Sequence, residues 1–101
     1  RRFAAWIQGA HRAVLSALMS LERLAAWRAR AEAETDDLSG RTPALLIAAL
    51  SARPMLGAVE AEAETGASRA AVQRNLDTLQ SRGLVREVTG RGRFRVWAAK
   101  L

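Results

Sequence analysis

Apolar residues along the first third of the chain recur at spacings of three and four. Phe3, Ile7, Ala10, Val14, Ala17, Leu18, Leu21, Leu24, Ala25 and Ala31 fall on one stripe of a helix spanning residues 2 to about 34. Gly9 is a weak point in it, and Trp6 and Trp27 lie partly off the stripe and widen it. A stripe this long needs a cover, from the rest of the domain or from a second copy of the chain. "TDDLSGRTP" then stops the helix, with Gly40 ending one element, Thr42 expected as the next cap and Pro43 in the next first turn.

Three shorter helical patterns follow. The first runs from Pro43 to about Ala52 with Leu45, Leu46, Ala49 and Leu50 inward, and Pro54 interrupts it. The second is expected over Met55 to Thr65. The third is capped by Ser68, turns Val72, Leu76 and Leu79 inward, and ends at Gly83. Beyond Gly83 the period changes from helical to alternating. "LVREV" and "RFRVW" read as two strands joined by "TGRG", a glycine-rich hairpin turn. With Gly90, Arg91 and Gly92 as the loop, Glu87 faces Arg95 and Val85 faces Trp97. The other face, Leu84, Val88, Phe94 and Val96, is then expected to pack on the helices. The fold class is mainly α with a small β-hairpin: a long N-terminal helix within residues 1–40, then a helix-helix-helix-hairpin domain over 41–101.

The stretch "ETGASRAAVQRNLDTLQSRGLV" narrows this. Gly66, Ser68 and Val72 are followed in register by Leu76, Leu79, Gly83, Leu84 and Val85. A chain reversal that tolerates positive φ, then a cap, then an apolar residue is what two helices joined by a tight turn require. These residues resemble the winged helix-turn-helix family of bacterial DNA-binding domains. "LVREVTGRGRFRVWAA" is similar to the C-terminal winged helix of Fic-type proteins and to a plasmid-associated helix-turn-helix family with a like wing. The long first helix also resembles the segment before the winged helix in Fic proteins. The Fic catalytic His-Pro-Phe and Gly-Asn-Gly-Arg motifs are absent, since Arg12 follows His11.

The resemblance implies sequence-specific binding of duplex DNA, in a bacterial transcriptional regulator or a part of one. Helix 68–82 would enter the major groove and wing 84–98 would lie on the flanking backbone. The expected DNA-binding residues are Ser68, Arg69, Gln73 and Arg74 on the helix and Arg91, Gly92 and Arg93 at the wing tip. Arginine pairs with guanine, and glutamine with adenine, through two hydrogen bonds each. Arg95 is expected to be occupied by Glu87 across the strands. Phe94 and Trp97 read as packing residues.

Charge sharpens the picture. The chain of 101 residues carries +6, with sixteen basic and ten acidic residues. From residue 67 onward, eight basic residues (Arg69, Arg74, Arg82, Arg86, Arg91, Arg93, Arg95, Lys100) stand against Asp77 and Glu87, and the remainder of the chain sums to zero. A GC-rich genome also enriches arginine and alanine, but it does not concentrate charge in one segment. "VEAEAET" is discordant, because Glu60, Glu62 and Glu64 lie on the helix that would cross the DNA backbone. Ordinary solvation is their expected role, and pointing away from the DNA or complementing the next helix through Arg69 or Arg74 are alternatives; a winged helix that binds protein is the rival reading, as the terminal interaction or regulatory module of a larger Fic-like protein.

Other chemistry is thin. With no cysteine, one histidine and no supported carboxylate pair, no catalytic set, metal site or cofactor is expected. No apolar run approaches the roughly 18 residues of a membrane span. No signal peptide is apparent, so the cytoplasm is the expected location. The opening "RRFAAW", without methionine, suggests a fragment of a larger protein.

Overall fold

The computed structural model describes residues 2–88 and 95–101, with side chains described from residue 7 onward. Four helices and a three-stranded antiparallel sheet follow one another as α1 (Arg2–Glu34), α2 (Thr42–Ala52), β1 (Met55–Gly57), α3 (Ala58–Thr65), α4 (Arg69–Ser81), β2 (Val85–Glu87) and β3 (Val96–Ala99). The mainly helical class, the long first helix and the span of α4 agree with the sequence reading.

α1 runs unbroken through Gly9 for 33 residues, a length of about 50 Å. Its apolar stripe is not covered as a whole by the domain. Among the residues whose side chains are described, the C-terminal part docks: Leu24 is half-buried, and Trp27, Ala31 and, just past the helix, Thr35 are buried. Trp27, placed partly off the stripe by the periodicity, is the largest side chain that the described part of α1 buries. Its indole N–H donates to the Leu84 carbonyl at 2.8 Å, so that the tryptophan meets the core beside Ala31 of the stripe.

α2 starts one residue earlier than expected. Thr42 lies inside the helix, Arg41 takes the cap position, and no side chain caps it; Pro43 in the first turn needs no amide partner. Leu46, Ile47, Ala49 and Leu50 are buried. Arg53 is extended at φ −136° and ψ 104°, as a residue before proline must be.

The chain after Pro54 does not enter a helix at Met55, as the sequence reading had it. It first makes β1, pairing Met55 with Ala98, Leu56 with Trp97 and Gly57 with Val96, and α3 begins only at Ala58. Glu60 Oε1 accepts the Gly57 N–H at 3.4 Å and fixes that start. β3 is therefore the central strand, in the order β1-β3-β2.

The β2–β3 register also differs from the expected one by two residues. Val85 pairs with Ala99 and Glu87 with Trp97, and the Val88 N–H donates to the Val96 carbonyl at 2.8 Å. A two-residue slip preserves the side-chain faces; Leu84 is buried as expected, but within the strands the buried face is the opposite one. Leu56, Val85, Trp97 and Ala99 turn into the core, whereas Val88 is 41% exposed and Val96 half-buried. Leu56 on the unforeseen strand β1 sits opposite Trp97 and completes the apolar side there. Trp97 packs, as expected; Phe94 lies outside the described residues.

The core joins these surfaces to Ala61 of α3 and to Val72, Leu76 and Leu79 of α4. Because α1 enters that core chiefly through Trp27, truncation there tests the docking. Trp27→Ala should cost about 3–5 kcal/mol and Trp27→Phe, which keeps the ring but loses the donor, about 1–2 kcal/mol. Exposed Gln80→Ala should stay within about 0.5 kcal/mol. Urea unfolding midpoints measure all three, and a Trp27→Ala midpoint equal to wild type would show that α1 is not docked.

Candidate nucleic-acid interface

The turn between α3 and α4 is built from local polar contacts. Gly66 closes α3 at φ +66°, in the left-handed region where a side chain would be strained, and its N–H donates to the Glu62 carbonyl at 2.8 Å. The Thr65 hydroxyl donates to the Ala61 carbonyl at 2.7 Å and accepts from the Ala67 N–H at 3.2 Å. Ser68 then caps α4, its Oγ accepting the Ala71 N–H at 3.2 Å. The far end of α4 is fixed as firmly. Gly83, at φ +74°, donates to Gln80, and Leu84 donates back to Leu79 at 3.0 Å, the paired bonds of a Schellman stop.

With Val72, Leu76 and Leu79 buried, the outer face of α4 presents the expected residues in unequal states. Ser68 is exposed and occupied as the cap. The Arg69 side chain is 66% exposed, and its Nε lies 3.3 Å from Glu62 Oε2. Gln73 is half-buried and donates its amide to Asp77 Oδ1 at 3.0 Å. Arg74 is exposed and makes no ion pair among the described residues. Arg91, Gly92 and Arg93 lie outside the described residues.

The glutamates of α3 do more than sit in solvent. Glu60 binds Arg53 at 3.1 Å and the Gly57 amide, and Glu62 holds Arg69; Glu64 is the exposed one without an ion pair among the described residues. Arg95 and Glu87 meet at 3.6 Å as anticipated, diagonally across the strands rather than face to face.

Arg82 had been counted as part of the basic surface. It forks instead onto Asp37, with Nη1–Oδ1 at 2.6 Å and Nη2–Oδ2 at 2.9 Å, and Nη1 also donates to the Glu34 carbonyl at 2.6 Å. This clamp joins the ends of α1 and α4, 45 residues apart in sequence, a separation that hid the pair from a local reading. The Arg82 hydrogen bond holds the Asp37 carboxyl below its ordinary value of 3.8, and Asp37 in return raises the guanidinium above its own. Since Glu62 and Asp37 lie outside the basic segment, its +6 overstates the charge on offer. Arg86 and Lys100, both exposed, join Arg74 as described cations without an ion pair. Arg86 was absent from the expected set; its signal was the alternation in "LVREV", which puts Val85 in the core and Arg86 opposite.

Among the described residues no cluster of three or more metal-binding side chains occurs, and no helix is long and apolar enough to cross a membrane. Compared with family models, curated proteins and solved structures, the chain finds no match in any of the three.

The depressed Asp37 pKa makes the clamp pH-dependent. A lowered folded-state pKa adds stability above the unfolded value of 3.8, which is lost as the pH falls through the folded value. Melting temperatures of wild type and Asp37→Asn should therefore differ at neutral pH and converge as the pH drops below that range. A gap that persists in acid would mean that the carboxylate charge is not what the clamp uses.

Proposed function

We propose that this chain is a winged helix DNA-binding domain, with α4 in the major groove and the 84–98 hairpin on the flanking backbone. The observation that carries the reading is the mounting of α4. A left-handed glycine turn and a serine cap fix its start, and three apolar residues seat its inner face. Arg69, Gln73 and Arg74 lie at its N-terminal half, the part that reads base edges in such docking. The capped amide end beside Ser68 suits a phosphate, and Arg74 is the arginine of α4 least engaged by the protein itself. A role in bacterial transcription or plasmid control follows from the resemblance of the sequence to those families.

On this reading Glu62 acts as a brake. It occupies Arg69 in the free protein, so that DNA must compete for that guanidinium, and poorly matched duplexes gain less from it. The acidic edge of α3, where Glu64 makes no ion pair among the described residues, favours the second reading, in which the domain docks a protein within a larger Fic-like chain.

Fluorescence anisotropy of a labelled duplex at rising salt separates them. Wild type should bind at low salt and weaken steeply as salt is added, since each phosphate contact adds about 0.9 to the logarithmic slope. Arg91→Ala/Arg93→Ala should lower that slope by about two contacts. Arg74→Ala should lose about 1–3 kcal/mol of discrimination at one base pair. Absence of binding at low salt would overturn the DNA reading and leave the protein-docking one.

Glu62→Gln gives an independent check, because it should strengthen binding to random duplex. The expected gain is about 1.5- to 5-fold, the range of an exposed ion pair worth about 0.2–1 kcal/mol. Unchanged affinity would remove the brake.

A further inference from the structure

Ahead of its docked end, α1 projects from the domain with its apolar residues uncovered. Ile7, Val14, Leu15, Leu18, Met19 and Leu21 are all exposed, Val14 at 59% and Leu21 at 63%. The molecule measures 57 × 30 × 22 Å, elongated along this projection. A helix gains most of its stability in water from packing an apolar face, and about 20 unpacked residues have little to hold them.

We propose that the cover is a second copy of this chain, the two α1 helices lying side by side and antiparallel. Three observations select that occupant and that direction. First, Ile7, Ala10, Val14, Ala17, Leu21 and Leu24 are spaced 3, 4, 3, 4 and 3 residues apart. That alternation, seven residues for every two steps, is the 3.5 repeat of paired, supercoiled helices, whereas a helix lying on a globular core follows 3.6. The same row passes into the domain only at Leu24, so residues 7–21 are left for a partner helix of equal length.

Second, the row alternates large and small: Ile7, Val14 and Leu21 are separated by Ala10 and Ala17. Parallel helices in register would stack large on large and alanine on alanine, leaving gaps at every second layer. Antiparallel helices set Val14 of one copy against Ala17 or Ala10 of the other, so the central layers hold one large and one small residue and the backbones approach closely there. Third, the ends differ in charge. The sequence before Glu22 holds Arg1, Arg2 and Arg12 and no acidic residue, while residues 22–37 hold five acidic residues (Glu22, Glu32, Glu34, Asp36, Asp37) against Arg23, Arg28 and Arg30. Antiparallel pairing brings unlike ends together and parallel pairing brings like ends together.

This inference does not rest on the DNA reading, and its test reads assembly alone. Sedimentation equilibrium of the chain, from micromolar to submillimolar concentration, should show a species of twice 11.0 kDa. Val14→Glu/Leu21→Glu should weaken self-association at least tenfold. Both positions are exposed, so the melting transition read from core tryptophan fluorescence should persist in the double variant.

Direction follows from a single spin label, since the chain has no cysteine. Labels on Ala29→Cys should lie beyond about 40 Å in the antiparallel pair, and within about 20 Å in a parallel one. A monomer at every concentration overturns the proposal, and leaves the face to a different protein segment. A dimer with the short label distance overturns the antiparallel arrangement.

Discussion

The carbonyl of Leu84 is the point at which the parts of this protein are held to one another. It accepts the Trp27 indole at 2.8 Å and the Lys100 amide at 2.8 Å, while the Leu84 N–H closes α4 on Leu79. One residue thus ends α4, leads into β2, fastens the chain just after β3 and anchors α1. Gly83 makes this possible, because its positive φ turns the chain back so that Leu84 can reach Leu79. Trp27 and the Leu84 side chain are both buried, which strengthens these hydrogen bonds by excluding competing water. The Arg82–Asp37 fork braces the same corner from outside. The angle of α1 to α4 is therefore set twice, by a buried dipolar contact and by an exposed charged one.

What the sequence disclosed and what it hid divide along the range of the forces involved. The extent of α1, the Gly66 turn, the Ser68 cap and the Gly83 stop are decided within a few residues, and each was legible in the chain. β1 was not. Three residues carry no detectable alternation, and "MLGAVEAEAE" reads as one helix until β3, some forty residues later, supplies a partner for Leu56. The same missing strand reversed the expected packing face of the hairpin, because an edge for Leu56 beside Trp97 decides which side of β3 is dry. Trp27 was placed at the margin of the surface to be buried, and it is buried; periodicity ranks residues by position on a wheel, whereas the core favours the side chain with the most area to bury and a donor to satisfy.

Charge was legible as a total but not as a supply. Eight basic residues after position 67 are a property of the chain; which of them remain without a partner depends on contacts from elsewhere. Arg82 is taken by Asp37, Arg69 by Glu62 and Arg95 by Glu87. The glutamates that looked like an objection to DNA binding are, in two cases of three, engaged with the domain's own cations and amides. The discordance of α3 is thereby reduced to Glu64, and the electrostatic case for a polyanion narrows to fewer arginines than the composition implied.

The rigidity of the Leu84 corner bears on what a pair of such chains would do. If α1 could swivel on the domain, pairing two copies would tether two binding surfaces without fixing their separation. With α1 clamped at Trp27 and Arg82, antiparallel pairing centred between residues 12 and 16 fixes the two domains at opposite ends of a common rod. At about 1.5 Å per residue the Trp27 positions then lie about 35–45 Å apart along the axis. Successive major grooves on one side of a duplex are separated by about 34–36 Å. The two proposals were reached from different residues, one from the mounting of α4 and the other from the row on α1. They nonetheless call for compatible dimensions, and the buried joint between them is what allows the comparison.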